Sequence, residues 1–302
     1  MPVIFTSYDI GLELVEVLKN QDVTVNISVN TQNEKITTAN IIAETKGGSK
    51  DSIVVVSAHL DSVDNGPGIN TNGSGSSVIL EIAIQMAKAK KKPKNKVKFV
   101  WFAAKEQGLL GSFDFVDKYV SDKEMGGDET IALSLNFDTL ASPNAGRFIS
   151  LDTEFENPPG TNALAKLFED FYDSKGLEWQ YEATEYRFFV TDYLPFYFEN
   201  IPGAGIFTGS DTLKTVEQVA KYGGVAEVAF DECYHELCDD IDNINQEFLD
   251  ESADAAAHAV MTVANVDLEC FLAEKEEAPM FSQFSKGMKF QQSEARRSGG
   301  SA

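Results

Sequence analysis

His59 stands two residues before Asp61 in Ala-His-Leu-Asp-Ser, and Glu106 follows Lys105 in Ala-Lys-Glu-Gln-Gly. Asp138 ends Asn-Phe-Asp, and His235 lies between Cys233 and Cys238. Imidazole nitrogens and carboxylate oxygens are the donors zinc takes at hydrolytic centres. A binuclear centre that cleaves peptides also needs an open coordination position, a carboxylate bridging both ions and a general base for the shared water. His59, Glu106, Asp138 and His235 supply four ligand candidates, and Asp61 suits the carboxylate that orients the His59 ring from behind. Each residue alone is commonplace at the end of a strand. Their convergence is the signal.

That convergence depends on the elements before them. Thr38 to Glu44 and Ser52 to Ala58 read as strands, the second an unbroken apolar run of the kind buried on both faces. Ser76 to Ala89 has helical periodicity, Lys96 to Ala103 is a strand, Gly111 to Val120 a helix and Thr130 to Phe137 another buried strand. Alternation of this kind predicts an α/β fold: a mixed, largely parallel central sheet with helices on both faces. Sites in such sheets lie beyond the carboxyl ends of the strands. His59, the Lys105–Glu106 pair and Asp138 follow three different strands, so they reach one edge. Asn162 to Ser174 and the Ala-rich Ser252 to Ala264 read as helices, and Gly203 to Phe207 as a short strand. Upstream, Pro2 to Phe5 and Val23 to Val29 have β-like patterns around a helical Asp9 to Leu18.

The 302 residues are 43% hydrophobic and 24% charged, enough for one large core or for one core plus a small appendage. A formal net charge of -23 repels phosphates over most of the surface, so neither nucleic acid nor an anionic membrane is an expected partner. Six lysines between Lys88 and Lys96 read as a solvated helix end. No apolar run approaches the ~18 residues of a membrane span. Asp9, Glu13 and Glu16 stand where a signal peptide would be apolar. Of three cysteines, Cys233 and Cys238 are the candidates for one disulfide, with Cys270 left over; three reduced thiols remain the alternative. Sequons at Asn26 and Asn72 hint at secretion.

From Ile36 to Ala264 the chain resembles the M28 family of zinc aminopeptidases. The resemblance is carried by Ser57-Ala-His-Leu-Asp-Ser-Val, Gly66-Pro-Gly-Ile-Asn-Thr-Asn-Gly-Ser-Gly and Phe102-Ala-Ala-Lys-Glu-Gln-Gly-Leu-Leu-Gly-Ser. It continues in Leu135-Asn-Phe-Asp, Thr191-Asp-Tyr, Ile206-Phe-Thr-Gly and Cys233-Tyr-His-Glu-Leu-Cys-Asp. It implies a zinc-exopeptidase-like fold over residues 36–268 and a remnant of a protease-associated insert over 1–35, while a Glu/Lys/Gln/Ser/Gly-rich composition without periodicity reads as a mobile tail over 269–302. It further implies His59 and Asp138 as ligands of one zinc, Glu106 and His235 as ligands of the other, and a Cys233–Cys238 disulfide. Tyr234 would stabilise the tetrahedral intermediate and Phe207 would border the substrate pocket. Peptides or protein N-termini would be the partners, in a secreted or vacuolar setting, with the N-terminal portion missing from this chain.

Four positions depart from the family, two of them where its chemistry needs the bridge and the base. The bridging aspartate is Thr71, followed by Asn72, and the general-base glutamate is Lys105. Val190 replaces an arginine of many bacterial members. Without the bridge each metal keeps two protein ligands, below the three usual at catalytic zinc. A lysine charge about 5 Å from a dication costs roughly 6 to 7 kcal/mol at an effective dielectric of about 20. Lysine's ordinary pKa of about 10.4, raised further by carboxylates, also unfits it as a base near neutrality. The expectation is a pseudoenzyme with no zinc or one weakly bound, its ammonium pairing with Glu106, Asp138 or both. The alternative is a residually active aminopeptidase in which Lys105 reaches solvent and one zinc sits on His59 and Asp138.

Overall fold

The computed structural model describes residues 5–30, 35–151, 157–181 and 191–273. The chain divides into two compact units, Met1–Thr37 and Thr38–Ala302. In the first, helix α1 (Tyr8–Asn20) starts where the Ser7 side chain accepts a hydrogen bond from the Ile10 amide, and it buries no residue. The alternating Val23 to Val29 segment forms no strand, contrary to its pattern. A strand exists through a pairing neighbour, and this segment has none among the described residues. Most of Pro2 to Phe5 lies outside them.

The second unit is built on a sheet of β1 (Ile41–Glu44), β2 (Ser49–His59), β3 (Asn95–Phe102), β4 (Ile131–Phe137), β5 (Phe148–Ser150), β6 (Gln180–Tyr181) and β7 (Gly203–Phe207). Their order is β1-β3-β2-β4-β7-β5-β6. The central four are parallel, while β1 and β5 join β3 and β7 in antiparallel fashion. Alternation along β2 decides the two faces. Val54, Val56 and Ala58 enter one core with α2 (Gly75–Ala89), α4 (Thr161–Lys175) and α7 (Gln246–Asn265). Ile53 and Val55 enter the other, with Phe115 of α3 (Leu110–Val116) and Phe196 of α5 (Leu194–Phe198).

Helix α7 begins six residues before the Ala-rich stretch, because the Asn245 side chain caps the Phe248 amide at 3.2 Å. Helix α6 (Val216–Tyr222) carries a Thr215–Gln218 capping box. Residues expected to open a tail at 269 instead continue as helix α8 (Leu268–Ala273).

Strand order determines where the site lies. The chain leaves β2 for β3 on one side, then crosses to β4 on the other. The loops beyond these strands diverge and open a crevice at their carboxyl ends. Gly75, at the start of α2, lets that helix approach the end of β4, for an added Cβ would meet the Phe137 carbonyl and the Asn72 side chain.

Candidate active site

His59 is the last residue of β2 and is fully buried. Its Nδ1 lies 2.9 Å from the Asp61 main-chain carbonyl, so that nitrogen donates and Nε2 faces the site. The Asp61 carboxylate, expected to orient the ring, lies 3.7 Å from Nδ1 as an ion-pair partner and holds two amides as well. Its two oxygens accept the Lys105 and Glu106 amides, both at 3.0 Å. Those amides point together because Ala104 before them is left-handed, φ 54°. A non-glycine residue pays about 1–2 kcal/mol for that conformation, and the carboxylate clamp offsets it. Burial opposes ionisation of Asp61, but His59 and the two amides outweigh it and hold its pKa below the ordinary value.

The clamp aims two neighbouring side chains into the crevice. Lys105 is buried, its ammonium 3.1 Å from Glu106 Oε1 and 3.6 Å from Asp138 Oδ2. Burial disfavours that charge, yet Asp138, Tyr234 and Glu106 prevail, and its pKa rises above the ordinary lysine value. Glu106 Oε1 also lies 3.3 Å from His235 Nε2 and 3.9 Å from His59 Nε2. Asp138, the residue after β4, places Oδ1 3.4 Å from His59 Nε2. His59 titrates above its usual range: Asp138 overcomes the larger opposing effect of burial. Despite these carboxylates, both imidazole Nε2 atoms are buried without a hydrogen bond of good geometry among the described residues.

His235 arrives from a loop closed by the Cys233–Cys238 disulfide, Cα atoms 5.2 Å apart. Its backbone is left-handed, φ 62°, and its ring stacks on Tyr234 at 3.9 Å. Thr71 is buried, with Oγ1 3.3 Å from Thr139 Oγ1. Thr139 in turn donates to Asp138 Oδ1 at 2.9 Å. One proton per hydroxyl makes the direction Thr71 to Thr139 to Asp138. At Thr71, which the resemblance places at the bridging position, a neutral relay thus stands. Asn72 is buried, donating to the Phe137 carbonyl at 2.8 Å and accepting from the Gly75 amide at 2.9 Å, so folded chain offers it to no glycan. Phe207 ends β7 and, with Asn136, Ser150 and Tyr193, lines a hollow beside Asp138. Val190 lies outside the described residues.

Two features escaped the sequence reading. Asp192 is buried, its Oδ1 accepting from Ser112 at 2.6 Å and its Oδ2 without a hydrogen bond among the described residues. Burial pushes its pKa up to about 6, against the pull of His59, Ser112 and Lys105. Its position inside Thr191-Asp-Tyr was the available signal. The second feature is a pair of buried carboxylates, Asp231 and Asp239. Asp239 accepts the Asn70 and Thr71 amides at 2.8 and 3.1 Å, Asp231 accepts the Asn70 side chain at 2.7 Å, and the Asn243 amide bridges both. They tie the Thr71 loop to the disulfide loop.

These donors make two half-sites, His59 with Asp138 and Glu106 with His235, and an ammonium lies between the two carboxylates. Among the described residues no three His, Cys, Asp or Glu side chains are arranged to hold a metal. As placed, they do not fit a two-zinc centre.

The family model "Peptidase family M28" matches residues 40–260. An aminopeptidase of Pseudomonas aeruginosa is 44% identical over 261 residues, covering 85% of this chain and 46% of the relative. Leucine aminopeptidase 2 of Trichophyton equinum is 40% identical over 268 residues, 87% of this chain and 52% of the relative. The chain spans about half the length of these curated relatives. Among solved structures, a zinc aminopeptidase from Bacillus subtilis superposes with a TM-score of 0.58 at 25% identity, covering 76% of this chain and 51% of that one. Fold, strand-end residues and relatives agree, and the chain belongs to peptidase family M28.

Proposed function

We propose that this chain is an M28 aminopeptidase-like protein that has lost peptide hydrolysis and keeps the crevice as a recognition site for peptides or protein N-termini. The observation carrying this reading is the Lys105 ammonium, 3.1 Å from Glu106 and 3.6 Å from Asp138, at the position where the family holds its base. A lysine whose pKa is raised cannot accept a proton near neutrality. Nor does the Thr71 hydroxyl bridge two cations. Peptide recognition is supported by the aminopeptidase relatives and by the hollow that Phe207 lines beside Asp138. The disulfide suits an oxidising compartment, in keeping with a secreted or vacuolar setting.

Calorimetric titration with a leucyl tripeptide and its N-acetylated form, each then checked for cleavage, tests this. Binding of the free-amine peptide without release of leucine is expected, and weaker binding of the acetylated one. Turnover, or no binding of either, would refute it.

A further inference from the structure

The geometry points to Lys214 as a positioning residue for the crevice: its buried ammonium, clamped on the Asn144 and Ala145 carbonyls, fixes the aromatic wall that ends in Phe207 and so sets a preference for peptides whose first side chain is apolar. The inference rests on the reading of the crevice as a peptide-recognition site.

Lys214 is almost wholly buried, yet no carboxylate pairs with it among the described residues. The charge that acts on it is a second cation, Arg147, itself committed to Glu251 at 2.8 Å. A buried charge without an opposite partner is costly unless polar groups solvate it. Here those groups are oxygens. Nζ donates to the Ala145 carbonyl at 2.7 Å, the Asn144 carbonyl at 3.1 Å and the Asn144 side chain at 3.4 Å. Three donors meet three acceptors, so the ammonium has one seat.

That seat joins two stretches of chain. Lys214 exchanges main-chain hydrogen bonds with Val228 and Glu227, at 2.9 and 2.8 Å, and Leu213 pairs with Ala229. The Asn144 amide donates to the Phe230 carbonyl at 2.9 Å, and its side chain reaches the Val228 and Ala229 carbonyls. Residues 212–230 are thereby pinned to residues 144–145.

The pinned stretches carry the wall of the hollow. The Lys214 ammonium lies 5.5 Å from the Phe230 ring centroid and 5.8 Å from that of Tyr222, within cation–π range. Both rings stand edge-on to Phe148, at 5.2 and 6.0 Å. Phe148 pairs across β5 and β7 with Phe207, their rings 6.0 Å apart, and Phe207 lines the hollow beside Asp138. The four rings form one buried cluster without slack: a Cβ added at Gly146 would meet Phe148, and one at Gly209 would meet Phe230. In a close-packed interior a shift of one side chain is passed to its neighbours. Displacing the ammonium therefore displaces the wall.

The test compares wild type with Lys214→Met, which keeps the length and removes the charge. Calorimetric titration with a leucyl and a glycyl tripeptide reads the preference. Fluorine NMR of 4-fluorophenylalanine at position 207 reads the wall, with the same label at position 115, in the other core, as control. Lys214→Met should weaken binding of the leucyl peptide about 10-fold and leave the glycyl one unchanged, since only the leucyl side chain fills the hollow. The signal from position 207 should move and that from position 115 should not. An unmoved 207 signal in the folded variant would overturn the inference, as would equal loss for both peptides or no loss for the leucyl one. If Lys214→Met does not fold, Phe230→Leu is measured under the same criteria. A wild type that binds neither peptide, beside a 207 signal that moves, would sink the functional reading and leave the lysine's hold on the wall standing.

Discussion

Lys105→Glu reverses the charge at the centre of the crevice. The ammonium lies 3.1 Å from Glu106 and 3.6 Å from Asp138. At an effective dielectric of about 20 each contact is worth roughly 5 kcal/mol of attraction, and a glutamate turns both into repulsion of similar size. Desolvation already costs the wild-type pair part of that, and protonation of one carboxyl absorbs part of the repulsion. The expected net loss is that of breaking a buried ion pair, about 3–5 kcal/mol. For a domain of this size, at about 2–4 °C per kcal/mol, the Tm should fall by about 10 °C. Thermal unfolding followed by circular dichroism in EDTA reads this directly, with Lys105→Gln falling between the two. Were Lys105→Glu to melt with the wild type in EDTA, the lysine would be solvated rather than paired, and the account of the crevice would fail.

Asp192→Asn tests the buried carboxyl beside α3. A folded-state pKa pushed up to about 6 from 3.8 means the unfolded chain loses its proton first as pH rises. Stability is therefore lost between pH ~4 and ~6, by at most about 3 kcal/mol, and the loss persists above. The difference between the variant and wild type should move in the variant's favour across that window in urea titrations; a constant difference contradicts the assignment. Gly75→Ala drives a Cβ into the Phe137 carbonyl and the Asn72 side chain, so it should cost about 1–3 kcal/mol in the same assay. A neutral outcome would mean α2 does not pack so closely on β4.

The convergence of His59, Glu106 and Asp138 was legible because strand ends in a parallel sheet converge, and the apolar runs ending at His59, Phe102 and Phe137 marked those ends. The role of Asp61 was not, because its partners are main-chain amides whose direction depends on the left-handed Ala104, a conformation no residue type announces. Asp192, Asp231 and Asp239 carry no periodic signal of burial in a chain of net charge -23, and only tertiary packing buries them. Strands β5 and β6, three and two residues long, are too short for a period to register. The opposite error came at Val23 to Val29, where alternation was clear but no neighbour pairs with it. Lys105 was the most legible departure, since a cation among carboxylates has few places to go.

The most direct test of the account is the zinc content of the wild-type chain after incubation in excess zinc and gel filtration, measured by elemental mass spectrometry beside hydrolysis of leucyl-arylamide. Less than one zinc per chain and no turnover are predicted. Two zincs per chain with turnover would contradict the claim that a lysine has taken the place of the metal centre.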